Sequence, residues 1–179
     1  LIRNADIFIK PAQNMERINW HVDSTASMED ADKMLTAWFA ISESKPENGC
    51  MEFLPGSHRL DLPDNVRDKE NLTFAGVALK QANRSKRASN VMRAGQLSLH
   101  HFRTAHSSSG NATEMPRIGL VIRFIATDVS PTSAESGRGF LAAGHNDPGH
   151  FSLRKNFPVT WQRSPEGELQ SPATDAGIG

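Results

Sequence analysis

The octapeptide INWHVDST, Ile18 to Thr25, sets a histidine and an aspartate two positions apart inside an apolar, β-leaning stretch. Side chains of an extended strand alternate between its faces, so Ile18, Trp20 and Val22 point one way and Asn19, His21 and Asp23 the other. An imidazole and a carboxylate on one strand face are two metal ligands. Two histidines and one carboxylate on one side of a metal, with the other positions open, suit non-haem Fe(II) oxygen chemistry, and the third ligand must then come from elsewhere. The chain offers seven histidines: His21, His58, His100, His101, His106, His145 and His150. His58 sits in the turn PGSHR. His100 and His101 fall on opposite faces of one strand, so at most one of them can face a metal. His106 opens a polar stretch just after that strand and could place an imidazole at a sheet mouth. Spacing alone leaves the choice open.

The elements that must carry these residues are short strands. Apolar segments with a period of two, separated by Pro, Gly, Asn and Ser, give the pattern of an antiparallel β domain. ADIFIKP reads as a strand ending at Pro11, followed by the HVD strand. KMLTAWFAI has Leu35, Ala37, Phe39 and Ile41 on one face and Thr36, Trp38 and Ala40 on the other. KPENGCMEFLPGSHR packs two turn signals, Asn48-Gly49 and Pro55-Gly56, around a strand from Cys50 to Leu54. Residues 60–90 are polar and irregular except for LTFAGVAL. The pattern resumes at GQLSLHHF and in RIGLVIRFI, where Ile118, Leu120, Ile122 and Phe124 form one apolar face. GHFSLRKNFPVTW reads as an ordered patch near the end. Many short strands with turn signals predict a sandwich or jelly roll. Neither an internal repeat nor a long amphipathic helix is evident.

Bulk properties narrow the function. A chain of 179 residues fits one domain and can bury most of its apolar surface, so the histidines are not needed as a structural staple. Lys plus Arg and Asp plus Glu are balanced at 20 each, which argues against a nucleic-acid binder. The densest basic stretch (Lys80, Arg84, Lys86, Arg87) reads as a solvated loop. Cys50 is the only cysteine, which forbids an intrachain disulfide and leaves a reducing cytoplasm as the expected location. The longest apolar run, LTAWFAI, is far short of the about 20 residues that span a bilayer, so no membrane association is expected.

Four blocks, DIFIKPAQNMERINWHVD, LTAWFAISESKPENGCMEFLPGSHR, AGQLSLHHFRTAHSSSGNATEMPRIGLVIRFI and GHFSLRKNFPV, resemble in order and separation the phytanoyl-CoA dioxygenase family of Fe(II)/2-oxoglutarate-dependent oxygenases. The resemblance runs from about Ala5 to Pro158. It implies a mainly β chain, a double-stranded β-helix or jelly roll with few helices. It also implies that His21, Asp23 and His106 hold the metal. Arg117, eleven residues after His106, matches the arginine that pairs with the far carboxylate of 2-oxoglutarate. A guanidinium fork suits that role better than an ammonium. Arg123 shares the strand face of Arg117 but, at about 3.3 Å per residue, is expected roughly 20 Å further along and outside one compact site. By the same resemblance Trp38 lies beside the cosubstrate, Ser108 lends it a hydroxyl, and His101 has a supporting or packing role rather than that of a ligand. The NGC and LPGSHR elements are structural, with Asn48, Gly49 and Gly56 in turns, and Cys50 is a small buried residue, not a nucleophile.

What the resemblance implies for activity is a dioxygenase using Fe(II), 2-oxoglutarate and O2 to hydroxylate, or otherwise oxidise, a C–H bond of a small organic substrate, with release of succinate and CO2. Related halogenating enzymes replace the ligand carboxylate with a small residue, so Asp23 favours oxygen transfer. Two rivals make different demands: a non-catalytic jelly-roll binding module would have no need of all four residues, and another cupin-type metalloenzyme would have no use for Arg117. Residues 1–163 are expected to form one domain and 164–179 a flexible tail. Because family members carry a partly helical segment before the His-x-Asp pair, its arrival at residue 21 leads one to expect part of the protein upstream.

Overall fold

The computed structural model describes residues 1–23, 30–60, 87–132 and 137–155, together with the backbone of 162–163 and 169–170. These residues form β1 (Ile2–Lys10), β2 (Ile18–His21), β3 (Met34–Ala40), β4 (Met51–Phe53), β5 (Ala88–Ser89), β6 (Leu97–His101), β7 (His106–Ser108) and β8 (Arg117–Ile125). Shorter pairs follow, β9 (Arg138–Gly139) with β10 (Ser152–Leu153) and β11 (Gln162–Arg163) with β12 (Leu169–Gln170). Helical structure among the described residues is limited to 3-10 turns at Ala31–Lys33, Pro46–Asn48 and Ser57–Arg59. The expected strand in LTFAGVAL, the end of the GHFSLRKNFPVTW patch and most of the tail from 164 lie outside the described residues.

The eight principal strands make two four-stranded antiparallel sheets, in the orders β1-β8-β3-β6 and β2-β7-β4-β5. The chain crosses from one sheet to the other at almost every step. It therefore winds as a double-stranded β-helix, the jelly roll expected from the sequence. Between the sheets Trp38, Ala40 and Val121 of the first meet Met51 of the second and Met92, with Phe53 packed alongside. A second cluster, Leu1, Met34, Phe102, Ile125, Val129 and Phe151, closes one end.

The larger sheet turns a mixed face inward. The regular apolar faces read from β3 and β8 (Leu35, Phe39, Ile118, Leu120, Ile122, Phe124) lie outside, with Ile9 and Leu99 beside them 53% and 58% exposed. Facing inward instead are Thr36, Trp38 and Ala40 of β3 and Arg117, Gly119, Val121, Arg123 and Ile125 of β8. The interior of this sandwich has chemistry to house, so alternation of apolar residues marks the wrong side of it as core.

Turn glycines occur where expected. Gly49 and Gly56 have φ of 76° and 82°, in the left-handed region that a side chain disfavours. Gly119 is required for space rather than for φ: a methyl group there would run into the buried Trp38 indole. Gly119→Ala is expected to cost about 1–3 kcal/mol, measured by denaturant unfolding, with a displaced indole as the cause.

Candidate functional site

His21 ends β2, Asp23 follows two residues later, and His106 begins β7. The two strands are neighbours in the smaller sheet, with His21 directly opposite His106. Their rings lie 4.1 Å apart, centroid to centroid. Each histidine binds the backbone carbonyl two residues before it through Nδ1, His21 to Asn19 at 2.8 Å and His106 to Thr104 at 2.9 Å. A ring that donates from Nδ1 keeps its lone pair on Nε2, the form in which imidazole ligates a metal. One ligand atom from each of His21, Asp23 and His106 lies within 4.8 Å of the others, so the three could hold one metal ion. Among the described residues this is the sole such group of three or more.

β2 departs from simple alternation. Ile18 pairs with Ser108 and His21 with His106, so two residues of β2 stand opposite one of β7. This bulge brings Ile18 onto the same cavity as His21, where strict alternation predicts opposite faces. His106 likewise belongs to a strand, not to a loop entry.

The sequence motifs explain the placement of the ligands. Ser57 of LPGSHR is buried, and its Oγ accepts the amide of Ala105 at 2.8 Å, while Leu54 N–H donates to the Ala105 carbonyl at 3.0 Å. Both bonds pin the residue immediately before His106. Asn111 is fully buried, donates to the carbonyls of Lys10, Pro11 and Met115, and accepts from Thr113. It thereby ties the end of β1 to the loop that leads into Arg117.

Asp23 projects onto the inner face of the larger sheet. Its carboxylate meets one cross-strand row there, in which Thr36 of β3 pairs with Arg123 of β8 on one side and His100 of β6 on the other. Thr36 Oγ1 donates to Oδ2 at 2.7 Å, His100 Nε2 is 3.5 Å from the same oxygen, and Arg123 Nη2 donates to Oδ1 at 3.3 Å. Burial opposes ionisation of this carboxyl. The close approach of His100 and His106, the charge of Arg123 and the Thr36 hydrogen bond outweigh it and hold Asp23 well below the usual carboxylate range. For His106 burial dominates and, with His21 nearby, lowers its pKa to about 3 against the pull of Asp23. The site thus presents neutral imidazole and anionic carboxylate.

All six residues expected at the site, His21, Asp23, Trp38, His106, Ser108 and Arg117, line one cavity between the sheets. Arg117 is only 3% exposed, and its Nε and Nη1 have no hydrogen-bond partner among the described residues. A buried guanidinium without an acceptor calls for an anion. It lies over the Trp38 ring at 5.3 Å. Lys10, buried on β1 opposite Arg117, donates to Ser108 Oγ at 3.0 Å and to the Ser109 carbonyl. Burial, reinforced by the charge of Arg117, lowers the Lys10 pKa to about 8. An ammonium only donates, so the Ser108 oxygen accepts and its own proton is left for another partner.

Sequence reasoning did not single out Lys10 or Thr36, left His100 and His101 as alternatives for the inward position, and placed Arg123 outside. Arg123 lines the same cavity as Arg117, which corrects the expectation that one compact site has no room for both. The inward row was detectable in part, because Thr36 shares a strand face with Trp38. Which of His100 and His101 faces inward depends on the pairing register. His101 points outward, its ring 5.1 Å from that of His58 and its Nε2 3.4 Å from Asp32. Burial raises the Cys50 thiol pKa, as befits a packing residue.

Comparison with known proteins places these observations in a family. The model for phytanoyl-CoA dioxygenase (PhyH) matches residues 3–119. A phytanoyl-CoA dioxygenase domain-containing protein 1 homolog of Caenorhabditis elegans is 33% identical over 110 residues, 57% of this chain and 38% of that protein. A probable alpha-ketoglutarate-dependent hypophosphite dioxygenase of Stutzerimonas stutzeri is 29% identical over 136 residues, 73% of this chain and 46% of that protein. The chain therefore spans less than half the length of these two relatives. Among solved structures, the non-haem monooxygenase ThoJ in its nickel complex superposes with a TM-score of 0.66 at 25% identity, covering 88% of this chain and 56% of ThoJ. With the family model matching most of the chain, including the positions of His21, Asp23, His106 and Arg117, this chain belongs to the phytanoyl-CoA dioxygenase family.

Proposed function

We propose that the cavity is the site of an Fe(II)- and 2-oxoglutarate-dependent dioxygenase that hydroxylates, or otherwise oxidises, a C–H bond of a small organic molecule, with release of succinate and CO2. The observation that carries this reading is the convergence of three ligand atoms within 4.8 Å and an unpartnered buried guanidinium on one cavity. Two imidazoles and one carboxylate match the donor set of non-haem Fe(II) oxygenases. Arg117 offers the paired donors that a distal carboxylate accepts. Bound there, Fe(II) with 2-oxoglutarate would supply oxidising power drawn from O2 and from oxidative decarboxylation of the cosubstrate. His21, Asp23 and His106 would hold the metal, Nε2 being the ligating atom of each imidazole. Arg117 would fix the far carboxylate, with Trp38 as the wall beneath the guanidinium and Ser108 as a further hydroxyl donor. Lys10 fixes the direction of that hydroxyl. Presence of the Asp23 carboxylate favours oxygen transfer over halogenation.

No helix among the described residues is long and apolar enough to cross a membrane. A cytoplasmic enzyme acting on a small molecule remains the proposal for its setting.

Metal-dependent conversion of 2-oxoglutarate to succinate, measured with and without candidate substrates, tests the reading. Asp23→Ala is expected to reduce turnover to background. Arg117→Lys is expected to raise KM for 2-oxoglutarate about 10–100-fold, with a smaller change in kcat, since one point charge replaces a fork. Wild-type values in either variant would contradict the assigned roles.

The ligand set also imposes a pH dependence on the metal-free fold. His106 at about 3 lies below its ordinary 6.5, and Asp23 lies below its ordinary value, so both bind fewer protons folded than unfolded. Stability should therefore be complete above about pH 6.5 and fall as pH drops toward 3. Thermal melts of chelator-treated protein check this, and the slope should be shallower in His106→Asn, which lacks the titrating ring.

A further inference from the structure

Arg123 reaches from the cavity rim to the buried Asp23. Its Nη1 donates to Asp6 Oδ2 at 3.0 Å and its Nη2 to Asp23 Oδ1 at 3.3 Å, with the Asp6 side chain 48% exposed and that of Asp23 only 8%. The three partners come from three separate segments: Asp6 from β1, Arg123 from the adjacent β8, and Asp23 from the loop after β2 in the other sheet. Thr36 holds the second oxygen of Asp23. Each carboxylate oxygen has two lone pairs, so an oxygen gripped on one side by the sheet still has one for a metal. Arg117 and Arg123 thus divide the labour. Arg117 has buried donors without acceptors, whereas Arg123 spends its fork on two carboxylates of the protein itself.

We propose that Arg123 is a positioning residue for the metal centre: by bridging Asp6 and Asp23 it sets the orientation of the ligating carboxylate and so raises metal affinity. The inference rests on the function proposed above, with His21, Asp23 and His106 as ligands. Partners that orient ligands typically account for a 10–100-fold effect on metal affinity. Other roles for Arg123 would leave different signatures. A guanidinium acting only as a nearby positive charge repels a divalent cation, so its removal would tighten binding. One acting only in packing would lower thermal stability and leave the affinity of the folded protein unchanged.

Anaerobic titration of the full chain with Fe(II), and separately with Co(II) followed by its visible absorption, tests this without any turnover. Arg123→Met keeps an unbranched apolar stem and removes charge and donors. It is expected to raise the metal dissociation constant at least about tenfold and to change the Co(II) spectrum, both read on protein that circular dichroism shows to be folded. Arg123→Lys keeps the charge and a single donor group and should recover part of the affinity. If Arg123→Met does not fold, Arg123→Lys decides: affinity weaker than wild type supports the role, and wild-type affinity overturns it. Unchanged or tighter binding in folded Arg123→Met also overturns it. Failure of the wild type to bind metal would instead remove the underlying assignment of the ligands.

Discussion

A buried carboxylate governs this architecture. Asp23 comes from the edge of one sheet and is received by the other, and burying its charge without compensation would cost several kcal/mol. Compensation is arranged as one row across three strands, with Arg123, Thr36 and His100 side by side on β8, β3 and β6. The register of the larger sheet is therefore tied to the site. A slip of one residue in β3 would replace Thr36 with Leu35 or Ala37 and leave the carboxylate against an apolar surface.

The smaller sheet supplies the imidazoles, and the larger sheet supplies the carboxylate cradle and the buried, unpartnered Arg117. This division explains why the core is unusual. The space between the sheets is packed by Trp38, Val121, Met51 and their neighbours at one level and by polar and charged groups at the next. Elements far apart in sequence act locally on the ligands: the LPGSHR turn holds Ala105 through Ser57, and Asn111 joins β1 to the approach to Arg117. Hydrogen bonds from Nδ1 to backbone carbonyls give both histidines the same tautomer, with Nε2 left as an acceptor.

Much of this was legible in the sequence. Short strands and turn glycines at 49 and 56 announced a β sandwich, and the His-x-Asp pair and the family resemblance picked out six residues that line one cavity, His21, Asp23, Trp38, His106, Ser108 and Arg117. Three features escaped for physical reasons. The regular apolar alternation in β8 marked an outer face, because an interior that binds polar groups cannot also be the most apolar side. The bulge in β2 displaced Ile18, which no local pattern encodes. Arg123 looked too distant when measured along its own strand, yet it reaches the site because Asp23 is delivered from the opposite sheet. Pairing register, a non-local property, decided each of His100, Thr36 and Arg123.

The proposed function requires that the two imidazoles and Asp23 make a metal centre whose cosubstrate is anchored by Arg117. Its most direct test is an anaerobic titration of 2-oxoglutarate into the protein with and without one equivalent of Fe(II), followed by calorimetry and by the visible charge-transfer absorption of the chelated metal. The expected result is one equivalent bound only when metal is present, with appearance of the absorption band. Metal binding without any 2-oxoglutarate uptake, or uptake that is indifferent to metal, would contradict it.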